Sequence, residues 1–390
     1  MRGVVRADGL GAAAVVVIIR DVTPDDFDEV WRIRRRAFGG PVLPGPSWPG
    51  DLSTWRGFVA DSGDGLCGFL RIRRLGQFFG GRVVPMGGLA SVAVDPHARG
   101  RGVASGLVDA ALHAMRADGQ PLSALFTRVP ALYRGRGWER AGVVEHADLD
   151  LTALRGLPGG KYALRPLAGF DVQECYRALA IDGMLERRDF LLRGDPELGS
   201  VALDSDGGVR GYVDLSRVDS RLDVHDLVAL DSEAAVVLLR SLASWSGLID
   251  RVRIRSAEPE VLALLLPDGL PSPETEPWYL RVVDFPAAVA ARGWPAARLL
   301  AEGTQTCVEI VDEHAPWHAG THRLVVEGGT VHSERTSRRA DLRLHTRALG
   351  PWFSGAASTS TLIRAGLCTG DGSVLDALVS RGTPRMLDSF

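Results

Sequence analysis

Lysine is almost absent from this 390-residue chain: Lys161 stands alone and arginine carries nearly all the positive charge, which reads as a composition bias rather than a functional signal. The four cysteines, Cys67, Cys175, Cys307 and Cys368, are scattered with no Cys-x-x-Cys pair. That excludes a disulfide framework and a thiolate zinc site, and fits a reducing cytoplasm. Neither sign of charge dominates: 45 basic residues face 48 acidic ones, with a pI near 6.3, so no whole-chain field draws the chain to nucleic acid or an anionic membrane. No apolar run is long enough to span a bilayer. No serine-histidine-acid order or carboxylate pair marks a hydrolase. The expected partner is a small molecule.

The first 19 residues hold two arginines and an apolar run from Ala12 to Ile19, a superficial likeness to a signal peptide. The run ends in Arg20-Asp21 without a small-residue cleavage site, so Val16 to Arg20 is read as a first strand behind a ragged extension.

The most informative segment is Leu89-Ala-Ser-Val-Ala-Val-Asp-Pro-His-Ala-Arg-Gly-Arg-Gly-Val-Ala104, which runs into a helical pattern from Ser105 to Met115. A buried strand breaks at Asp95-Pro96, and a glycine-spaced basic turn opens a helix. Backbone N–H groups at such a start point outward and form a pocket for a pyrophosphate. The Walker spacing needs a Lys-Ser/Thr pair, and the dinucleotide pattern needs an acidic residue about twenty positions on; neither is favoured. The plainer alternative is a glycine-capped helix start with solvated arginines, His97 among the solvent-facing residues.

Beyond Asp118-Gly119 come a strand, Leu122 to Thr127, and then Ala131-Leu-Tyr-Arg-Gly-Arg-Gly-Trp138. Together with Arg99-x-x-Gly102-x-Ala104, Tyr133-x-x-x-Gly137-Trp138 resembles the acyl-coenzyme A motifs of the GCN5-related N-acetyltransferases (GNAT). Upstream, Thr23-Pro24-Asp25-Asp26 predicts an N-terminus for a helix over Phe27 to Phe38, followed by a Pro/Gly loop, Gly39 to Gly50, and strands near Trp55–Ala60, Gly65–Arg73 and Gly81–Ala90. Trp48 and Trp55 are either core residues or part of an acceptor pocket of unusual shape.

A weaker copy of the plan follows, with a strand Asp223 to Leu230 and a helix Ser232 to Leu248. Its turn, Leu230-Asp231-Ser232-Glu233, has no glycine or arginine, and two carboxylates there would repel a phosphate. From Asp284 the pattern shifts to a helix through Ala291, strands Thr304–Val311, Thr321–Val326 and Ala340–Leu344 with a hairpin turn at Glu327–Thr330, and closing helices near 348–353, 359–365 and 373–379.

These features resemble the Eis (enhanced intracellular survival) family of GNAT enzymes. Trp278 to Gly293, Ala340 to Leu344 and Leu349 to Gly355 match its landmarks, and the chain ends in an aromatic residue, Phe390. The resemblance implies an α/β (α+β) architecture: an extension at 1–17, a catalytic GNAT domain at 18–155, a degenerate GNAT-like domain at 156–284 and a sterol-carrier-protein-like domain at 285–390. It implies acetyl-CoA, or another acyl-CoA, as co-substrate, no metal, and a homo-oligomer, commonly a hexamer. Ser91, Val92 and Val94 on the splaying strand would meet the thioester and pantetheine, and Arg99, Gly100, Arg101, Gly102, Val103 and Ala104 the pyrophosphate. Tyr133 would give its proton to the coenzyme sulfur, and the Phe390 carboxylate would act as base or orient the amine. A phenol near pKa ~10 is a weaker acid than a thiol near ~8.5, so free transfer is uphill by about 2 kcal/mol.

The expected acceptor is a primary amine of a cationic small molecule, aminoglycoside, polyamine or lysine-like. A biosynthetic acyltransferase with a dedicated acceptor and a non-catalytic coenzyme A or lipid binder are the alternatives. Phe38-Gly-Gly-Pro41 lacks the carboxylate that aminoglycoside-modifying members carry, and Ser389 precedes the terminal residue. His314, His318 and His322 recur every four residues, but Pro316 and Gly320 interrupt any helix, and they are read as surface hairpin histidines.

Overall fold

A computed structural model of the chain describes residues 3–7, 15–46, 48–188 and 192–390. The first unit runs β1 (Gly3–Ala7), β2 (Val15–Asp21), α1 (Phe27–Phe38), β3 (Trp55–Asp61), β4 (Leu66–Phe79), β5 (Arg82–Val94), α2 (Val103–Ala117), β6 (Leu122–Phe126), α3 (Pro130–Arg134) and β7 (Glu139–Asp150). Gly3–Ala7 thus forms a strand where a ragged extension was expected; it pairs antiparallel with β2, whose edge gives five short residues their partners. The rest of that extension, residues 1–2 and 8–14, lies outside the described residues, as does Ser47 of the Pro/Gly loop.

α1 starts where Thr23 and Asp26 form a capping box, and Asp26 is also held by Arg20 at 2.7 Å. α2 buries Leu107, Val108, Ala111, Leu112 and Met115 against the sheet, a three-and-four spacing that sets one apolar stripe inward. Each large side chain there contributes roughly 1.5–3 kcal/mol.

The second unit contains β8 (Ala163–Pro166), α4 (Gln173–Leu179), β9 (Leu185–Glu186), β10 (Ser200–Leu203), β11 (Val209–Val218), β12 (Arg221–Ala229), α5 (Ser232–Ala243), β13 (Arg251–Arg255), α6 (Pro259–Leu265) and β14 (Glu274–Val282). The two units share one 14-stranded sheet. β14, last in the second unit, inserts antiparallel between β6 and β7 of the first, and β7 pairs in turn with β13.

The third unit has α7 (Phe285–Ala291), β15 (Gln305–Val311), β16 (Gly320–Glu327), β17 (Thr330–Arg335), β18 (Leu342–His345), α8 (Thr346–Ser354), α9 (Thr359–Arg364), β19 (Cys368–Gly370) and α10 (Ser373–Leu378), with a five-stranded sheet of its own. Its α8 lies on β7 and β14, so its core (Phe285, Trp294, Trp352, Phe353) runs without a break into Phe79, Met86 and Trp278 of the large sheet. No helix among the described residues is long and apolar enough to cross a membrane.

Candidate functional site

β5 ends at Val94, and the Asp95 carboxylate accepts the His97 amide at 3.1 Å, closing the turn over Pro96–Ala98. Gly100 and Gly102 both have φ of +75°, a left-handed conformation that costs a side-chain-bearing residue roughly 1–2 kcal/mol. The first bond of α2 runs from the Gly106 N–H to the Gly102 carbonyl at 2.9 Å, and no side chain caps the helix. The amides before Gly106 therefore face outward with the positive end of the helix dipole behind them. They border a concavity of about 280 Å³ lined by Val94, Arg99, Gly100, Gly102, Val103 and Ala104. Arg101, expected among the phosphate contacts, is exposed and does not line it. His97 is exposed.

β5 and β6 pair in parallel only over Met86–Gly88 with Leu122–Ala124 and diverge beyond. Where they part, the pairing of β4 with β5 slips between Phe69 and Arg71, and Ser91 takes φ +54°. This bulge twists the strand around Ser91 and Val92 beside the open wedge. These two residues sit apart from the concavity at the helix start, beyond the last β5–β6 pairing.

Tyr133 lies on α3 at 5% exposure, edge-on to Trp138. Burial alone pushes its hydroxyl up to about 12. The rest of its motif now has a reason. A β-carbon at Gly137 would collide with the Arg281 guanidinium and the Thr346 hydroxyl, and Arg281 in turn lies 5.6 Å from the Trp138 ring. Arg281, wholly buried, pairs with Asp312 at 2.6 Å, and His318 bonds the same carboxylate oxygen at 2.9 Å. Burial would raise the Asp312 carboxyl, but the His318 bond and the Arg281 charge outweigh it and hold it well below the carboxylate range. This corrects the reading of surface histidines: His318 and His322 are 1% and 0% exposed, within a buried joint between β14 and the third unit. Asp312, six residues before His318, was the partner that the four-residue spacing concealed.

The C-terminal tail enters the first unit. It leaves the third unit along β7, with the Met386 N–H on the Val143 carbonyl (3.0 Å) and the Val143 N–H on the Pro384 carbonyl (3.1 Å). The Leu387 carbonyl then accepts from Arg193 (2.8 Å) and Arg255 (2.6 Å), and Asp388 pairs with Arg187 at 3.1 Å. Asp226, 0% exposed, binds both Arg187 and Arg193 and fixes them. The Phe390 ring packs edge-on to Phe126 at 5.6 Å, and a β-carbon at Gly88 would fall 2.7 Å from it. Tail and wedge therefore meet where β5 and β6 begin to part.

A cavity of about 640 Å³ opens beside the tail, bordered by Thr54, Arg73, Leu75, Leu185, Ser389 and Phe390. At Thr54 and Arg73 it adjoins a second lobe of about 420 Å³ that includes Trp48 and Trp55, the two tryptophans expected as alternative pocket residues, and also Trp31, Arg34 and Arg71, which the sequence reading missed. The alternation Arg71-x-Arg73 in a strand was the available signal. The second lobe differs in sign from what a polycationic acceptor would select, with three arginines and no carboxylate, whereas the larger one also carries Asp51, Glu186 and Asp388. Among the described residues no cluster of three metal-ligating side chains occurs.

Residues 18–141 and 183–282 each match an acetyltransferase (GNAT) domain, and residues 285–387 match a sterol carrier protein domain. The chain thus joins two GNAT domains to a sterol carrier protein domain and is similar to the Eis-like acyltransferases. It is 29% identical over 325 residues to N-acetyltransferase Eis of Mycobacterium tuberculosis, covering 76% of this chain and 77% of that one. An uncharacterized N-acetyltransferase of Streptomyces coelicolor is 29% identical over 318 residues, or 74% and 75% of the two chains. Among solved structures, a GCN5-related N-acetyltransferase from Kribbella flavida superposes with a TM-score of 0.80 at 28% identity, over 96% of this chain and 98% of that one. Eis1 of Mycobacterium abscessus, at 24% identity and a TM-score of 0.75, over 96% of this chain and 100% of that one, shares the fold. An Eis-like chain with two GNAT units and a sterol-carrier-like unit is an acyltransferase that draws on an acyl-CoA.

Proposed function

We propose that the chain transfers the acetyl group of acetyl-CoA to a primary amine of a small molecule, with the first unit as the working one. The observation that carries this reading is the arrangement around the parting of β5 and β6: the uncapped α2 and Tyr133 pack with Leu125 on one face of the sheet, and the Phe390 ring packs on Phe126 at the other. Acetyl-CoA fits this framework: outward amides for its diphosphate, a parting of two strands for its arm, and a phenol beyond. It would supply a thioester whose carbonyl is open to attack.

In this reading the Gly100–Ala104 turn and Arg99 grip the diphosphate by charge-assisted hydrogen bonds. Amides at the Ser91–Val92 bulge meet the oxygen where negative charge develops. The Phe390 carboxylate receives the ammonium and orients it after it loses its proton to solvent; a carboxylate of pKa near ~3.5 is otherwise a feeble base for an amine. Tyr133 stays a phenol at neutral pH. Full proton transfer from a group near 12 to a thiolate near ~8.5 would be uphill by about 5 kcal/mol, so its task is hydrogen-bond donation to the departing sulfur, assisted where burial also raises the thiol. The family resemblance adds a cytoplasmic homo-oligomer to the proposal, which sedimentation and localisation would test.

The test is thiol release from acetyl-CoA by the purified full-length chain across a panel of amines. Amine-dependent release supports transfer. Acetyl-CoA binding without release by any amine would leave a binding protein in its place.

A further inference from the structure

The second lobe of the acceptor cavity holds positive charge that no group among the described residues pairs with. Arg34 of α1 lies over the rings of Trp48 and Trp31, at 4.5 and 5.4 Å, and Arg71 of β4 lies 5.7 Å from the Trp55 ring. Among the described residues neither guanidinium has a hydrogen-bond or carboxylate partner, and the Nε atoms of both are buried and unbonded. The indole N–H groups of Trp48 and Trp55 are buried and unbonded as well. Burial pushes both guanidiniums downward, Arg71 to about 10, with the charges of Arg34 and Arg73 adding to the effect on Arg71.

A half-buried, unpaired guanidinium is costly, and two sharing one lobe are more so. An oxyanion would remove that cost, because the planar fork of arginine matches its geometry and the indole donors extend the contact. The remaining wall, Gly45, Pro49, Gly50 and Thr54, brings no competing acid.

The lobe is also in register with the reacting end. Arg71 and Arg73 point to one face of β4, and Arg73 pairs with Gly88, the residue against which the Phe390 ring sits. Arg71 pairs with Ala90, next to the Ser91 bulge. Two residues along a strand span about 7 Å, the separation of the two ends of a small zwitterion.

We propose that Arg34 and Arg71, with Trp48 and Trp55, form an oxyanion subsite, so that the acceptor is a zwitterionic amine carrying a carboxylate or phosphate-like group several ångströms from its nitrogen. This rests on the amine-acyltransferase reading above and narrows it.

The experiment compares 4-(aminomethyl)benzoate, its methyl ester and 1,4-bis(aminomethyl)benzene as acceptors, which hold ring and amine constant while the far end is anionic, neutral or cationic. The expected kcat/KM is highest for the acid, at least tenfold above the ester, with the diamine lowest; the phosphonate analogue should match the acid. Arg34→Gln and Arg71→Gln should each cut the acid-to-ester ratio tenfold or more through KM, Arg34→Lys should cut it less, and acetyl-CoA binding in each variant reports that it is folded. An ester or diamine used as well as the acid overturns the subsite while leaving amine transfer standing. Should no amine be turned over, tryptophan fluorescence titration with benzoate and benzamide decides: tenfold tighter benzoate binding, lost in both glutamine variants, supports the subsite, and equal binding overturns it.

Discussion

The two GNAT units place a helix at the same point of the same plan and fill its N-terminus in opposite ways. α2 opens on left-handed Gly102 with no cap, leaving its amides to a ligand. α5 opens on Asp231, whose carboxylate takes the Ala234 amide at 2.9 Å and is itself held by Arg210 and Tyr162, while Glu233 takes the Lys161 amide. The second helix start has thus satisfied itself with its own side chains and placed negative charge where a diphosphate would lie. The difference extends to the strands. β12 and β13 also pair only at one end and then part, but at the mouth of that wedge Arg193 and Arg255 hold the Leu387 carbonyl. Four residues into the helix that follows, the first unit has Tyr133 and the second has buried Leu262. In the proposed reading one copy of the fold receives the coenzyme, while the other holds the Leu387 carbonyl through Arg193 and Arg255.

The largest expected effect tests the residue that the second unit lacks. Tyr133→Phe should lower kcat by about 10²–10⁴ with little change in acetyl-CoA affinity, as steady-state kinetics and calorimetry would report; an unchanged kcat would remove its role. Next, Gly102→Asp gives the first turn the charge of the second and forces a side chain onto left-handed backbone. Acetyl-CoA affinity should fall by about 100-fold, roughly the 2.7 kcal/mol of two pKa units. Extending the chain beyond Phe390 removes its free carboxylate and should cost about tenfold or more in kcat at unchanged coenzyme affinity. A tagged chain with full turnover would break the link between the two wedges.

The smallest effect is on stability. His146, bonded to Arg255 at 3.1 Å beside the tail, is pulled down to about 4 by burial and by the charges of Arg255 and Arg253. Folding therefore favours the neutral ring: its contribution is intact above the unfolded value near ~6.5 and is lost as pH falls toward 4. Denaturant unfolding at pH 7.5 and 5 should show a loss that shrinks by about 1 kcal/mol in His146→Gln, allowing for solvent screening.

Much of the first unit was legible because its signals are local. Phe27–Phe38 and Phe285–Ala291 are the helices expected residue for residue, since proline and capping side chains mark their starts. The glycines of the α2 turn declare left-handed backbone in the sequence itself. What escaped depends on long-range partners. Nothing within Glu274–Val282 says that it will slot between β6 and β7, and nothing around His318 says that Asp312 and Arg281 will bury it. Two apparent strands, Gly81–Ala90 and the segment from Leu89, proved to be one bulged strand, Arg82–Val94. The arginines of the second lobe look like solvated charge until tryptophans from α1, the Pro/Gly loop and β3 close around them.

The most direct test of the account is a calorimetric titration of the full-length chain with acetyl-CoA. The account predicts saturable binding at one site per chain, weakened about 100-fold by Gly102→Asp and insensitive to Asp231→Gly. No binding, or two equivalent sites per chain, would contradict it.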